Sequence, residues 1–296
     1  MIIVRLSGGI GNQMFQYACG RAISLQLNTK LALDHSFLED KTYKPDFTYR
    51  DYALDVFGIQ NKISPSELRK LGLEMAYIYP LKAKLSLKRI LKGYTYYQEK
   101  GLNYDENIPL KSAKLYLSGY FQSEKYFKQA ADKIRNDFAF PPVQNERNKL
   151  LLTKITTDEN SVSIHIRRGD YLTIRNGNVH FTCSPEYYKN AVDIIRSKIS
   201  NPTFYIFAHD DLPWAMENLK FSEPHDFIGD HNQGKQSYED LHLMSMCKHH
   251  IIANSSFSWW GAWLNAKPGK TVIAPKNWLI GSKDSFDIVP EQWITI

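Results

Sequence analysis

Three cysteines in 296 residues, Cys19, Cys183 and Cys247, are too few, too far apart and odd in number for a disulfide framework or a cysteine-built zinc site. They read as reduced thiols of a cytoplasmic protein. No apolar run approaches the ~20 residues that span a bilayer. The opening MIIVRLSGG holds an arginine inside a short apolar run, so it is expected to form a strand and not a secretory signal. Internal repeats and low-complexity tracts are missing, which excludes solenoids and disordered tails. The net charge of +6 is modest and its lysines are spread along the chain, without the single basic stripe of a nucleic-acid binder.

What is present is an alternation of strands and helices. The β-branched IIVRL leads into the loop SGGIGNQ, then a helix from about Met14 to Leu27 stopping at Asn28, then a strand in KLALDH. Ser64-Pro65-Ser66-Glu67 has the spacing of a capping box with proline at the first helical position. Leu115–Phe121 reads as a strand, and Ser123 as the cap of a helix that ends before Pro141-Pro142. The polar VQNERN beyond those prolines reads as a linker. Strands then follow in SVSIHI, TFYIFA, HDFI, HHIIAN and TVIAP, with helices opening at Ser184, Asp211, Ser237 and Ser256. This rhythm predicts an α/β fold with a parallel sheet covered on both faces.

Three stretches carry chemistry. In HIRRGDY (His165–Tyr171) two arginines stand at a strand end, where ligands of open parallel sheets bind. Alternation along a strand puts His165 and Arg167 on one side and Arg168 on the other. A guanidinium forks onto two oxygens and stays charged, which suits a diphosphate; the same pair could instead satisfy acids such as Asp170. In GGIGNQ, Gly9 and Gly11 allow close backbone approach to an anion, or simply a tight turn. Met14 stands where a dinucleotide fingerprint needs a third small residue, and the loop lacks the G-K-[ST] of a P-loop. In ANSSFSWWGAWL, serines opening a helix offer hydroxyls and N–H groups together, a phosphate cradle needing no metal. Trp259, Trp260 and Trp263 fit core packing or a ligand platform. His209-Asp210-Asp211 fits hard-ion ligation, or a strand end followed by an Asp cap. Pro80–Tyr94 is a basic amphipathic stretch, fitting an anionic membrane surface or a solvated helix face.

GGIGNQMFQYA, HIRRGDY and NSSFSWWGAWL, in this order and over nearly the whole chain, resemble the bacterial α-1,2-fucosyltransferases of glycosyltransferase family 11. More distantly they are similar to the α-1,6- and protein O-fucosyltransferases. The resemblance implies a GT-B-like α/β enzyme of two Rossmann-like domains with the donor site in the cleft. These are an N-terminal, acceptor-side domain at 1–142 and a C-terminal domain at 143–296 that binds GDP-β-L-fucose, with the C-terminal tail returning to the first. It implies inverting transfer of fucose to the 2-hydroxyl of a terminal β-galactoside in a bacterial surface glycan, with no cofactor and no metal.

Carried over by position, Arg167 binds the diphosphate and stabilises the leaving GDP. His165 contacts the guanine end, and Asp240, sixteen residues before Ser256, reads guanine. Ser255, Ser256 and Phe257 hold the β-phosphate, with Gly9 and Gly11 also on the donor side. Asn12 lies near the reacting sugar, and Asp170 matches an acid beside the donor arginine. Arg175 stands where the α-1,6 enzymes carry a base, so no base transfers. The expected partners are GDP-fucose and a galactose-terminated oligosaccharide or lipid-linked glycan, and no nucleic acid. The expected place is the cytoplasm, peripheral at the inner face of the membrane. The alternatives are a GDP-fucose-dependent transferase of another linkage or acceptor, and a non-catalytic carbohydrate- or RNA-binding module built on the 18 tyrosines and 6 tryptophans.

Overall fold

The computed structural model describes residues 1–42, 48–73, 93–169, 182–209, 211–229, 231–278 and 287–296. Pro80–Lys92 of the basic stretch, Asp170, Arg175 and Asp210 lie outside them. The chain divides into two units, Met1–Ala139 and Phe140–Ile296.

In the first unit β1 (Ile2–Arg5), α1 (Ile10–Gln26) and β2 (Leu31–Asp34) form the predicted strand–helix–strand opening. The helix starts four residues earlier than its apolar periodicity suggests, because Gly9 already caps it. Asn28 takes the left-handed conformation expected of it (φ 44). After the short helix α2 (Ser36–Glu39), α3 (Pro65–Lys70) opens on a complete capping box. β3 (Thr95–Gln98) and β4 (Leu115–Ser118) complete a parallel sheet in the order β2-β1-β4-β3. Ile3, Ala32 and Tyr116 pack there with Ile63, Leu68 and Leu73. The helix expected from Ser123 is broken. Two 3₁₀ turns precede α4 (Ala131–Asp137), because Phe127, fully buried near Phe15, leaves helical geometry at φ −143.

In the second unit the latter half of the predicted linker is helix. Asn145 caps α5 (Glu146–Thr157), its side chain accepting from the N–H groups of Arg147 and Asn148. Asparagine serves loops and caps alike, and here it caps. Then follow β5 (Ser161–His165), α6 (Pro185–Lys198), β6 (Thr203–Phe207), α7 (Leu212–Asn218), β7 (His225–Ile228), α8 (Tyr238–Met246), β8 (His249–Ile251), α9 (Ser256–Leu264), β9 (Val272–Ala274) and β10 (Ile294–Thr295). All pairs are parallel, in the order β10-β9-β8-β5-β6-β7. The C-terminal residues thus form the edge strand of the second unit's sheet. β10 pairs with β9, and Lys276 and Ile296 close the edge through backbone hydrogen bonds.

Alternation along β5 decides what each face does. Val162, Ile164 and Ile166 enter a core with Tyr188, Val192 and Ile195 of α6. Ser163 and His165 take the opposite face, where Ser163 Oγ meets His250 Nδ1 at 2.8 Å. The helices α5, α8 and α9 pack together, and Trp259, Trp260 and Trp263 are buried in mutual contact, which settles them as core.

Candidate active site

Because every strand of the second sheet runs the same way, the carboxyl ends of β5, β6, β7 and β8 share one edge. His165 ends β5, with 7% of its surface exposed. Its ring stands 5.7 Å from that of Phe257, and its Nδ1 is buried with no hydrogen-bond partner among the described residues. Burial, then the charges of Arg167 and His209, push its pKa down to about 3. The imidazole is therefore neutral, and a ligand meets it as a hydrogen-bonding group. The cation at this strand end is Arg167.

Arg168 has other work. Its Nε donates to Asp211 Oδ2 at 3.1 Å, and its guanidinium lies 4.1 Å from the Trp214 ring centre. Asp211 also caps α7 by accepting from the Trp214 N–H at 3.2 Å. Arg168 is thus tied into the fold, while Arg167 lies near enough to His165 to lower its pKa.

At the end of β8 the chain turns into α9. Ser255 is the cap, its Oγ accepting from the Phe257 N–H at 3.3 Å. That hydroxyl keeps its own proton to donate, and first-turn N–H groups such as that of Ser256 have no intrahelical acceptor. Asp240, in the first turn of α8, is 4% exposed. Burial pushes its pKa up to about 6, against the opposing effects of the Asn232 amide, His231 and His209. His209 influences both His165 and Asp240, so these residues share one neighbourhood. Gly229 lets the chain after β7 pass the end of β6, since a Cβ there would lie 3.1 Å from the Ala208 carbonyl.

Sequence reading misses the support behind Asp240. Asn232 Nδ2 donates to Asp240 Oδ1 at 2.6 Å, and Asn232 Oδ1 accepts from Asn148 Nδ2 at 2.8 Å. Asn148, fully buried in α5, also donates to Glu239 and meets His231 Nε2 at 2.8 Å. The available signal was Asn148 itself, a polar residue one turn inside a capped helix.

In the first unit, Gly9 and Gly11 stand at the N-terminus of α1 as placed. The glycine that the turn requires is Gly8, at φ 75, where a Cβ would fall 2.4 Å from Asn12 Nδ2. Asn12 Oδ1 accepts from Gln122 Nε2 at 2.8 Å. Two glutamines that sequence reading left unassigned fix this turn. Gln13, fully buried, donates to the Gly8 and Asp51 carbonyls and accepts from the Ala53 N–H. Gln16, equally buried, exchanges hydrogen bonds with Ser7 and donates to the Gly119 carbonyl. Their signal was polarity on the apolar face of GNQMFQYA.

A cationic strand end on the same sheet edge as a capped helix N-terminus suits a nucleotide-sugar enzyme. The family model described as glycosyl transferase family 11 matches residues 75–296. An α-1,2-colitosyltransferase of Escherichia coli is 33% identical over 100% of this chain and 99% of its own. The O-antigen biosynthesis glycosyltransferase WbnK of E. coli is 33% identical over 98% of this chain and 99% of its own. A galactoside α-(1,2)-fucosyltransferase 1 of Leontocebus fuscicollis is 26% identical over 54% of this chain and 46% of its own. An Arabidopsis thaliana FUT1 mutant in complex with GDP shares the fold, with a TM-score of 0.51 at 11% identity over 92% of this chain and 69% of that one. The reading as a non-catalytic sugar- or RNA-binding module falls with these matches. The two parallel α/β units are GT-B-like, and the chain belongs to glycosyltransferase family 11.

Proposed function

We propose that this glycosyltransferase moves L-fucose from GDP-β-L-fucose to the 2-hydroxyl of a terminal β-galactoside of a surface glycan, with inversion and without a bound metal. The observation that carries the reading is Arg167 beside a neutral, buried His165, on the sheet edge that also holds the serine-capped start of α9. The acceptor oxygen attacks C1 opposite the nucleotide, and the bond from C1 to the β-phosphate oxygen breaks. The electron pair leaves on GDP, and the hydroxyl proton leaves to solvent or to a base on the acceptor side. Negative charge grows on the diphosphate as this happens. A preorganised guanidinium with helix-terminal N–H donors stabilises that charge in the place of a divalent ion.

In this reading Ser255, Ser256 and Phe257 surround the β-phosphate, Asp240 takes the guanine donors and Asn12 lies on the sugar side. Asp170 completes the donor-arginine motif. The enzyme works at the inner face of the membrane, where lipid-linked acceptors are presented. Among the described residues no helix is long and apolar enough to cross a membrane.

A second reading keeps the mechanism and exchanges fucose for colitose; the full-length colitosyltransferase relative favours it. The test is GDP release from GDP-fucose and from GDP-colitose with a panel of galactosides in the presence of chelator, the product linkage being read by NMR. An α-1,2-fucosylgalactoside is expected. Preference for GDP-colitose selects the second reading. Turnover that returns only with a divalent cation removes the metal-free mechanism.

A further inference from the structure

We propose that Tyr120 is the platform on which the acceptor pyranose stacks, held at the end of β4 by a bracket of Glu99, Gln16 and the Gln122–Asn12 pair. The proposal rests on the chain acting on a galactoside.

β4 lies between β1 and β3, and all three run parallel, so Gly8–Asn12, Glu99 and Gly119–Gln122 lie beyond neighbouring carboxyl ends. The segment after β4 is held at every residue. Gly119 passes so close to β3 that a Cβ would lie 2.4 Å from Glu99 Cβ, and its carbonyl accepts from Gln16 Nε2 at 2.9 Å. Tyr120 donates its N–H to Glu99 Oε2 at 2.6 Å, and Phe121 donates to the same carboxylate at 3.0 Å. Phe121 is left-handed, at φ 53, and fully buried. Its ring lies 6.3 Å from that of Tyr97 and 5.4 Å from that of Tyr126. Gln122 then reaches Asn12.

This arrangement is costly. A bulky aromatic at positive φ is strained, and such strain persists only where the surroundings impose it, typically at functional sites. Glu99 is largely desolvated and its pKa is raised by burial, so its carboxylate is spent on two backbone groups that a polar turn would leave to water. One large side chain of the segment remains outside: Tyr120, 43% exposed. A rigid aromatic with two side-chain torsions gives contact area at little entropic cost. The ring matches a galactoside in particular. With O4 axial, the hydrogens on C3, C4 and C5 form one apolar face of the sugar, while the 2-hydroxyl stays at the rim. Stacking there fixes the reacting hydroxyl without covering it.

The experiment combines kinetics with saturation-transfer NMR of methyl β-galactoside in the presence of GDP. Tyr120→Ala is expected to raise the acceptor KM about tenfold, to leave the donor KM within about twofold, and to abolish saturation transfer to H3, H4 and H5. Tyr120→Phe should restore both. Glu99→Gln, which turns an amide group toward two N–H donors, should raise the acceptor KM in the same sense. An unchanged acceptor KM in Tyr120→Ala, or a donor KM that rises equally, overturns the proposal, as does wild-type protein showing no contact to H3–H5. Wild-type contact to those protons without sugar transfer would sink the assigned reaction and leave this site standing.

Discussion

Lowering the pH from 7 to 5 should destabilise the second unit by an amount set mainly by its buried histidines. His165 and His250 are both buried and both held neutral. Burial is the main cause in each; the second cause is Arg167 for His165 and Lys270 for His250. His250 is also locked on both ring nitrogens, by Ser163 Oγ at 2.8 Å and by Asn265 Nδ2 at 2.8 Å. A histidine whose folded pKa is depressed binds protons only in the unfolded chain. Its stabilising contribution is complete above about 6.5 and is lost as the pH falls below that value. Between pH 7 and 5 this costs about 2 kcal/mol for His165; His249, lowered to about 4 by burial and then by Lys248 and Lys267, adds about 1–2 kcal/mol after solvent screening, and His250 acts in the same direction. Asp240 has the opposite sign: its folded pKa is raised to about 6, so the burden of its charge lifts as the pH falls. That returns about 1 kcal/mol over the same interval, leaving a net loss of about 2–3 kcal/mol. His242, also lowered by burial, adds in the direction of the histidines. The assay is urea unfolding followed by tryptophan fluorescence. All six tryptophans lie within Phe140–Ile296, so the signal reports this unit alone. With a slope of about 2 kcal/mol/M, the midpoint should fall by roughly 1.2 M. A midpoint that stays within about 0.3 M would refute the reasoning.

Arg167→Ala should lower kcat by a factor of about 10²–10³ in a protein that still folds; retention of more than a tenth of the wild-type rate would remove Arg167 from the leaving-group role. Arg168→Ala should do the reverse, destabilising the second unit by about 1–2 kcal/mol through loss of the Asp211 bond and the Trp214 contact while kcat falls far less. The check is a urea melt beside a rate measurement, and equal rate losses in the two variants would contradict the division of labour. Asp240→Asn should abolish the preference for GDP over IDP, which lacks the guanine 2-amino group, in a competition assay. Asn232→Ala removes a donor that lowers the Asp240 pKa, so the pH below which the donor KM rises should move upward from about 6; an unmoved limb would mean that Asn232 does not act on Asp240.

The fold was legible where side chains answer to their own neighbours. The capping box at Ser64, the caps at Ser184 and Asp211 and the apolar strands each declare themselves within a few residues, and each is where its sequence places it. The placement of Arg168 on the Ile164–Ile166 side, against Trp214, followed from strand alternation alone. Illegible elements had their cause elsewhere in the chain. β3 is an aromatic TYYQ whose partner, β4, follows 16 residues later. β10 is two residues that exist as a strand only because β9 offers an edge. The helix after Ser123 fails because Phe127 finds a better place against Phe15 than helical continuity allows.

The same distinction explains why the chemically reactive side chains of the candidate site were readable and their supports were not. Arg167, His165 and Ser255 announce chemistry by type and by position at a strand end. Gln13, Gln16, Asn148 and Asn232 carry no reactive group, and short-range patterning assigns polar residues to solvent. All four are buried, and in the interior an amide is tolerated only when its donors and acceptors are met. Burial therefore forces each to bridge: Gln16 joins β1 to the segment after β4, and Asn148 joins α5 to the segment before α8. Those partners lie 84 to 103 positions away, so no local pattern could name them. Yet these bridges decide where Gly119 and Asp240 stand. In this chain the side chains proposed for the reaction can be picked out from sequence because their chemistry is local, while their alignment is held by unreactive amides that only the folded chain brings together.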